Sequence, residues 1–191
     1  MAAKSYVRIE FSKWGVALEA LRNQAPKALM RAINRTASNS KTAMTRVVAD
    51  DMGLKQSAVR PKITIENATQ NTLQAFLYGS PKRVPLIEFK AKGPEPSRGR
   101  GRGVTAKIPG GAGRYPNAFI ATMRGGRRKG ERGVLQRAPG SSRLPVYELF
   151  GPSIKQAFEK NGETARTRAM EMLNKNVQHE IEFALKSAKQ A

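Results

Sequence analysis

The chain has 191 residues, with 35 Lys and Arg against 14 Asp and Glu, a net charge of +21. That length carries one domain or at most two, with enough chain to bury a core. Cysteine is absent and His179 is the one histidine, which excludes disulfides, thiol nucleophiles and Cys-ligated zinc and argues against His-based metal sites and most acid–base machinery.

Residues 6–11 (Tyr-Val-Arg-Ile-Glu-Phe) alternate in period two, with Val7, Ile9 and Phe11 on one side. This predicts a short half-buried strand. A helical stretch follows from about Lys13, with Trp14, Leu18 and Leu21 on one face. Pro26 suits the first turn of a second helix running to about Val48. Its inward face is Leu29, Ile33, Ala37, Met44 and Val48, supported by Ala32, Ala43 and Val47. The small polar run Thr36-Ala37-Ser38-Asn39-Ser40 in its middle implies close packing by another element. Gly53 reads as the stop.

Residues 54–59 predict one helical turn before Pro61. Residues 63–65 and 73–78 are strand candidates joined by a turn-rich segment, and Pro85-Leu86-Ile87-Glu88-Phe89 is a third, just beyond Lys82 and Arg83. Residues 91–103 have no periodicity and nothing apolar to bury, so a loop is expected. Residues 104–108, 118–123 and 134–137 return to strand composition, the last two separated by a basic hairpin tip at residues 124–130. Residues 144–150 lead into Gly151-Pro152, where Pro152 fits a helix start. Ile154 and Phe158 share a face until Asn161-Gly162 interrupts. From Glu163 to about Lys189 the spacing of Met170, Leu173, Val177, Ile181 and Leu185 predicts a helix of roughly 40 Å. Its length suggests that part of the apolar stripe faces another subunit. No internal repeat is present. The expected class is α+β: a small antiparallel β-sheet or partial barrel flanked by a long N-terminal and a long C-terminal helix, with extended basic loops. The chain reads as one domain, with residues 1–60 as strand plus helices, 61–143 as sheet with basic loops and 144–191 as C-terminal helices.

No apolar run approaches the roughly 18–20 residues that span a bilayer, and no signal-peptide pattern opens the sequence, so a cytoplasm-like compartment is expected. The positive charge is uneven. Residues 80–143 hold 16 basic groups against 3 acidic, or +13, whereas residues 144–191 hold 7 against 6. Such asymmetry points to one region meeting a polyanion, against the plainer reading of a solvated basic surface.

The Arg98-Gly99-Arg100-Gly101-Arg102-Gly103 run lacks the strand before and helix after that a dinucleotide fingerprint needs, and no Walker loop is present. It reads as a polycationic segment, glycine letting the backbone follow a phosphate array while each Arg forks two donors; otherwise it is a loop that folds against a neighbouring protein. A second cluster runs from Arg124 to Arg132, with Arg124, Arg127, Arg128, Lys129 and Arg132 as its five cations beside one Glu, serving either nucleic-acid contact or a solvated tip that blunts sheet edges. Phe89, Tyr115 and Phe119 are not interleaved with cations as a base-stacking platform requires. No helix carries the side chains of a major-groove reader. Asp50-Asp51 is the only adjacent acidic pair and lacks a third ligand for metal chemistry. His179 lies off the apolar stripe, and Met44, Met52, Met170 and Met172 read as core or interface filling. No nucleophile, base and orienter can be assembled, no metal or cofactor is expected, and an enzyme is disfavoured.

Several stretches, in order, resemble the phage minor tail protein Z family, also described as tail completion proteins. They are Ala32-Ile33-Asn34-Arg35-Thr36-Ala37, Pro85-Leu86-Ile87-Glu88-Phe89, Asn117-Ala118-Phe119-Ile120-Ala121-Thr122-Met123 and Gly133-Val134-Leu135-Gln136-Arg137. The most specific is Arg143-Leu144-Pro145-Val146-Tyr147-Glu148-Leu149-Phe150-Gly151-Pro152-Ser153-Ile154. The resemblance implies structural roles for Phe89, Phe119, Arg143, Leu144, Pro145, Leu149, Phe150, Gly151 and Pro152, and no catalytic residue. It also implies a virion protein at the head-proximal neck of a tail, assembled in the host cytoplasm as a ring of six. Its partners would be tail terminator and head–tail connector proteins and non-specific double-stranded DNA, with no membrane.

In such a ring, six middle segments at +13 bring +78, whereas about 35 Å of duplex exposes only about 20 phosphates. One basic loop would then face the lumen, the Arg98, Arg100 and Arg102 segment being the longer candidate, while other cations dock on acidic neighbours. The rival reading is a sequence-independent nucleic-acid-binding protein outside a virion.

Overall fold

The computed structural model describes residues 25–95, 103–125, 128–140 and 144–188, apart from the side chains of residues 185, 187 and 188. The strand and helix expected over residues 6–21 lie outside the described residues. In chain order the elements are α1 (Ala25–Met52), α2 (Gln56–Val59), β1 (Ile63–Glu66), β2 (Phe76–Gly79), β3 (Arg83–Pro85), β4 (Val104–Ile108), β5 (Gly111–Tyr115), β6 (Ala118–Thr122), β7 (Arg132–Arg137), β8 (Val146–Glu148), β9 (Phe150–Ser153), α3 (Ile154–Lys160) and α4 (Gly162–Ala188). The class is α+β, with the two long helices at either end of the described chain. The strands form four small antiparallel sheets in place of one: β1-β2, β3-β9, β4-β5 and β6-β7-β8.

The predicted inward face of α1 is buried throughout: Leu29, Ile33, Ala37, Met44 and Val48 are all buried, as is Ala32. Gly53 ends the helix at φ +64°, its N–H donating to the Asp50 carbonyl at 3.2 Å while Leu54 N–H returns to Ala49 at 2.9 Å. Glycine is the residue that enters this left-handed conformation without a Cβ penalty.

The described chain divides into two compact units. The first holds residues 25–47, 60–79 and 158–188. Leu173, Val177, Ile181 and Ala184 of α4 pack there with Ala25, Leu29, Ala32, Ile33 and Ala68. The middle of the α4 stripe is therefore buried within its own chain, whereas Met170 is half-buried and the Leu185 side chain lies outside the described set. Polar contacts fix the same pairing: Asn176 Nδ2 donates to Thr36 Oγ1 at 2.8 Å and Arg31 Nε to Glu180 Oε2 at 2.7 Å. The small run in α1 does receive a close neighbour. Beside it is a cavity of about 470 Å³, lined among others by Thr36, Ser40, Leu73, Phe158 and Leu173.

The strand expected from Leu73 starts only at Phe76, because Leu73 and Ala75 pack instead against the helical cluster. Tyr78 Oη donates to Glu66 Oε2 across the β1-β2 pair at 2.7 Å. That hydrogen bond, with some desolvation and the carboxylate charge, raises the Tyr78 pKa above its ordinary 10.0. Asn34 makes the tie between α1 and the β1-β2 connection. Its Nδ2 donates to the Ala68 carbonyl at 3.0 Å, and Ala68 N–H donates to its Oδ1 at 2.7 Å. Asn34→Ala removes both bonds and strands the buried Ala68 amide, so a loss of about 1–3 kcal/mol is expected in denaturant unfolding. A change below 0.5 kcal/mol would mean that water replaces the side chain.

The second unit holds residues 48–59 and 80–157, less the undescribed positions. Pro85 to Phe89, expected as a strand, is strand only to Pro85; Leu86–Glu88 turns as a 3-10 helix. The fully buried residues are Leu86 and Phe89, a spacing of three that a period-two strand cannot bury on one face. Pro152 does not open a helix. It lies in β9, whose irregular register with β3 pairs Arg83 with Ser153 and Pro85 with Phe150; the missing N–H is tolerated in such irregular two-stranded pairing. The helix starts two residues later at Ile154. β5 was not expected, since Gly-Ala-Gly-Arg-Tyr has little strand propensity. It forms because β4 supplies a full antiparallel partner, from Val104↔Tyr115 to Ile108↔Gly111.

Candidate functional site

Of the basic candidates, Arg98, Arg100, Arg102 and Arg127 lie outside the described residues, as does Arg143. The second cluster forms the turn between β6 and β7. Its base is closed by Met123 N–H to Glu131 O and Gly130 N–H to Met123 O, both 2.9 Å. Arg124 and Lys129 are exposed there. Arg128 is held differently. Its Nε donates to Glu131 Oε2 at 2.6 Å, and its Nη1 donates to Glu148 Oε1.

The Glu148 side chain, only 13% exposed, lies over Gly133, where a Cβ would sit 3.2 Å from Oε1. Strand β8 brings that carboxylate in, by pairing Glu148 with Leu135 on β7. Arg128 therefore ties the hairpin base to β8, and its charge is largely neutralised within the chain. Arg132 Nη2 meets Glu95 Oε1 at 3.0 Å with both side chains exposed, an arrangement worth little in water. The cluster thus separates into the displayed Arg124 and Lys129 and the internally paired Arg128 and Arg132.

The residues singled out through the family resemblance also divide. Phe89 is fully buried and sits against Gly151, where an added Cβ would come within 2.5 Å of the ring. Phe119 is half-buried and carries the Arg137 guanidinium over its ring at 5.5 Å. Sequence order placed no cation beside that ring, but the β6-β7 register sets Phe119 opposite Leu135, so Arg137 falls on the diagonal. Leu149, Gly151 and Pro152 are half-buried and Pro145 is exposed. Leu144 and Phe150 are exposed large apolar side chains, together with Tyr147. Tyr147 sits on β8, an outer strand of its sheet; its alternation with Val146 and Glu148 was the signal that it points outward. Sequence reading also missed the outer face of the β4-β5 hairpin, because it missed β5.

Nothing among these groups makes a catalytic constellation. Among the described residues, no three His, Cys, Asp or Glu side chains gather closely enough to hold a metal ion. His179 and Asp50 are exposed. No described helix is long and apolar enough to cross a membrane.

A family model described as prophage minor tail protein Z matches residues 16–190. No curated protein and no solved structure matches the chain.

Proposed function

Since this chain belongs to the prophage minor tail protein Z family, and so is a structural protein of a phage tail, we propose that it completes the head-proximal end of that tail. It joins the tail to the head connector as a ring, six copies being the expected number, and lets DNA pass through. The tail terminator and connector are its protein neighbours, and assembly takes place in the host cytoplasm. The reading rests on one observation above all: the concentration of +13 of the +21 net charge in residues 80–143, in a family of tail components. Sequence-independent Arg and Lys contacts suit a duplex that must slide, since base-reading groups would hold it in one register.

The rival, a nucleic-acid-binding protein working free in solution, rests on charge alone. The exposed Leu144, Tyr147 and Phe150 favour a chain that works assembled, because exposed large apolar groups mark association surfaces.

The test is made in particles. Arg98→Glu, Arg100→Glu and Arg102→Glu together should leave rings forming and tails joining, while packaged DNA is no longer retained at the neck. Normal retention with failed joining would move that segment to a protein interface. Fully infectious virions lacking the chain would overturn the function itself.

A further inference from the structure

We propose that the outer face of the β4-β5 hairpin, formed by Lys92, Thr105, Lys107 and Arg114, is a contact site for the phosphate backbone of double-stranded DNA. This deepens the function above and rests on it. Lys92 and Thr105 bridge through reciprocal N–H to carbonyl bonds, both 2.8 Å. Thr105 in turn pairs with Arg114 across the hairpin. Lys92, Thr105 and Arg114 therefore form one row over three chain segments, and Lys107, two residues beyond Thr105, shares their face. Burial agrees with this placement. Val104 and Ala106 turn inward, whereas Thr105, Lys107, Ala112 and Arg114 are exposed.

The strands themselves carry no carboxylate: the sequence has no Asp or Glu between Glu95 and Glu131. Lys92 and Lys107 make no ion pair with any described residue, in contrast to Arg128 and Arg132. Diagonal neighbours on a sheet face lie about 7–8 Å apart, and outer strands of a row of three about 10 Å apart. A duplex carries one charge per roughly 3.4 Å on each strand, so 10 Å presents about three phosphates to three cations. The residues between them are small, Thr105 and Ala112, which leaves the ribbon flat enough for a backbone to approach.

The face suits a phosphate backbone better than the stacked bases of a single strand. The Tyr115 ring lies on the opposite side, against Gly113, so no aromatic is available for stacking. No Asn or Gln belongs to this face, so nothing bidentate is offered to adenine.

The experiment uses the full-length chain and a labelled duplex of random sequence, titrated between low and moderate salt. Neutralising the face with Lys92→Gln, Lys107→Gln and Arg114→Gln should flatten the plot of log affinity against log salt by about 2–3, at about 0.9 per phosphate lost. An unchanged melting temperature and recovery of the slope with Lys92→Arg and Lys107→Arg, beside native Arg114, would support the assignment. A control of equal charge, Arg168→Gln, Lys175→Gln and Lys186→Gln on α4, should change the slope by less than half as much.

Equal flattening by the control would overturn the site in favour of diffuse charge. An unaltered slope in the face variant, with loss in a variant of Arg98, Arg100 and Arg102, would also overturn it while leaving DNA contact standing. So would intact duplex binding with lost capture by polyglutamate, which would make the face a dock for acidic protein. A wild-type chain with no salt-dependent duplex binding would overturn both this site and the DNA contact it rests on.

Discussion

Phe89→Ala lowers the stability of the unit that contains it by about 3–5 kcal/mol, the range for emptying a fully buried aromatic site. Gly151→Ala is expected to cost about 1–3 kcal/mol by the opposite route, overpacking. Phe89 has no accessible surface, and a Cβ on Gly151 would stand 2.5 Å from its Cε2 and 2.9 Å from its Cζ. The ring has nowhere to retreat, since residues 86–89 are pinned by Leu86 N–H to Leu149 O at 3.0 Å and by Lys107 N–H to Phe89 O at 2.9 Å. Gly151 has no left-handed φ, so close approach alone requires glycine there. It follows that the double variant, measured by denaturant unfolding, should cost less than the sum of the two single changes. Once the ring is gone, the new methyl group has room. Strict additivity would mean that something other than Phe89 excludes a side chain at position 151.

Arg128→Met is expected to cost about 2 kcal/mol and to leave the salt dependence of DNA binding nearly unchanged. Breaking a fully buried ion pair costs about 3–5 kcal/mol, because one charge is left without its partner. Here Arg128 is 25% and Glu148 13% exposed, so water reduces that penalty. Replacing both residues, Arg128→Met with Glu148→Leu, should recover most of the loss, as happens when apolar groups fill the space of a buried pair. The DNA measurement separates this role from a displayed one. A guanidinium already occupied by Glu131 and Glu148 should contribute well under the slope of about 0.9 that one phosphate contact gives. Stability within 0.5 kcal/mol of wild type, with a full unit of slope lost, would place Arg128 among the DNA contacts and reverse this assignment.

These two expectations concern the same unit and give the family-like stretches distinct tasks. Phe89 and Gly151 fill its interior. Glu148 and Gly133 anchor the turn between β6 and β7. Leu144, Tyr147 and Phe150 are left on the surface.

Much of this was legible in the residues alone. The faces of α1 and α4 follow from a spacing of three and four, the end of α1 from Gly53, and the basic middle from counting charges, because each depends on neighbours within a few positions. The turn at Leu86–Glu88 and the strand at Gly111–Tyr115 were not legible, because their conformations depend on partners that local propensity does not specify. The same limit applied to the charges. Arg128 looked like Arg124 and Lys129 until β8 brought Glu148 from 20 residues away, and Arg132 met Glu95 across 37. Lys92, Lys107 and Arg114, scattered along the chain, became one face only through strand register. The sequence by itself determined that this protein carries a large positive charge in its middle third and belongs to an α+β class. Tertiary structure decided which of the described charges are neutralised internally and which are presented outward, because ion pairing requires proximity in space.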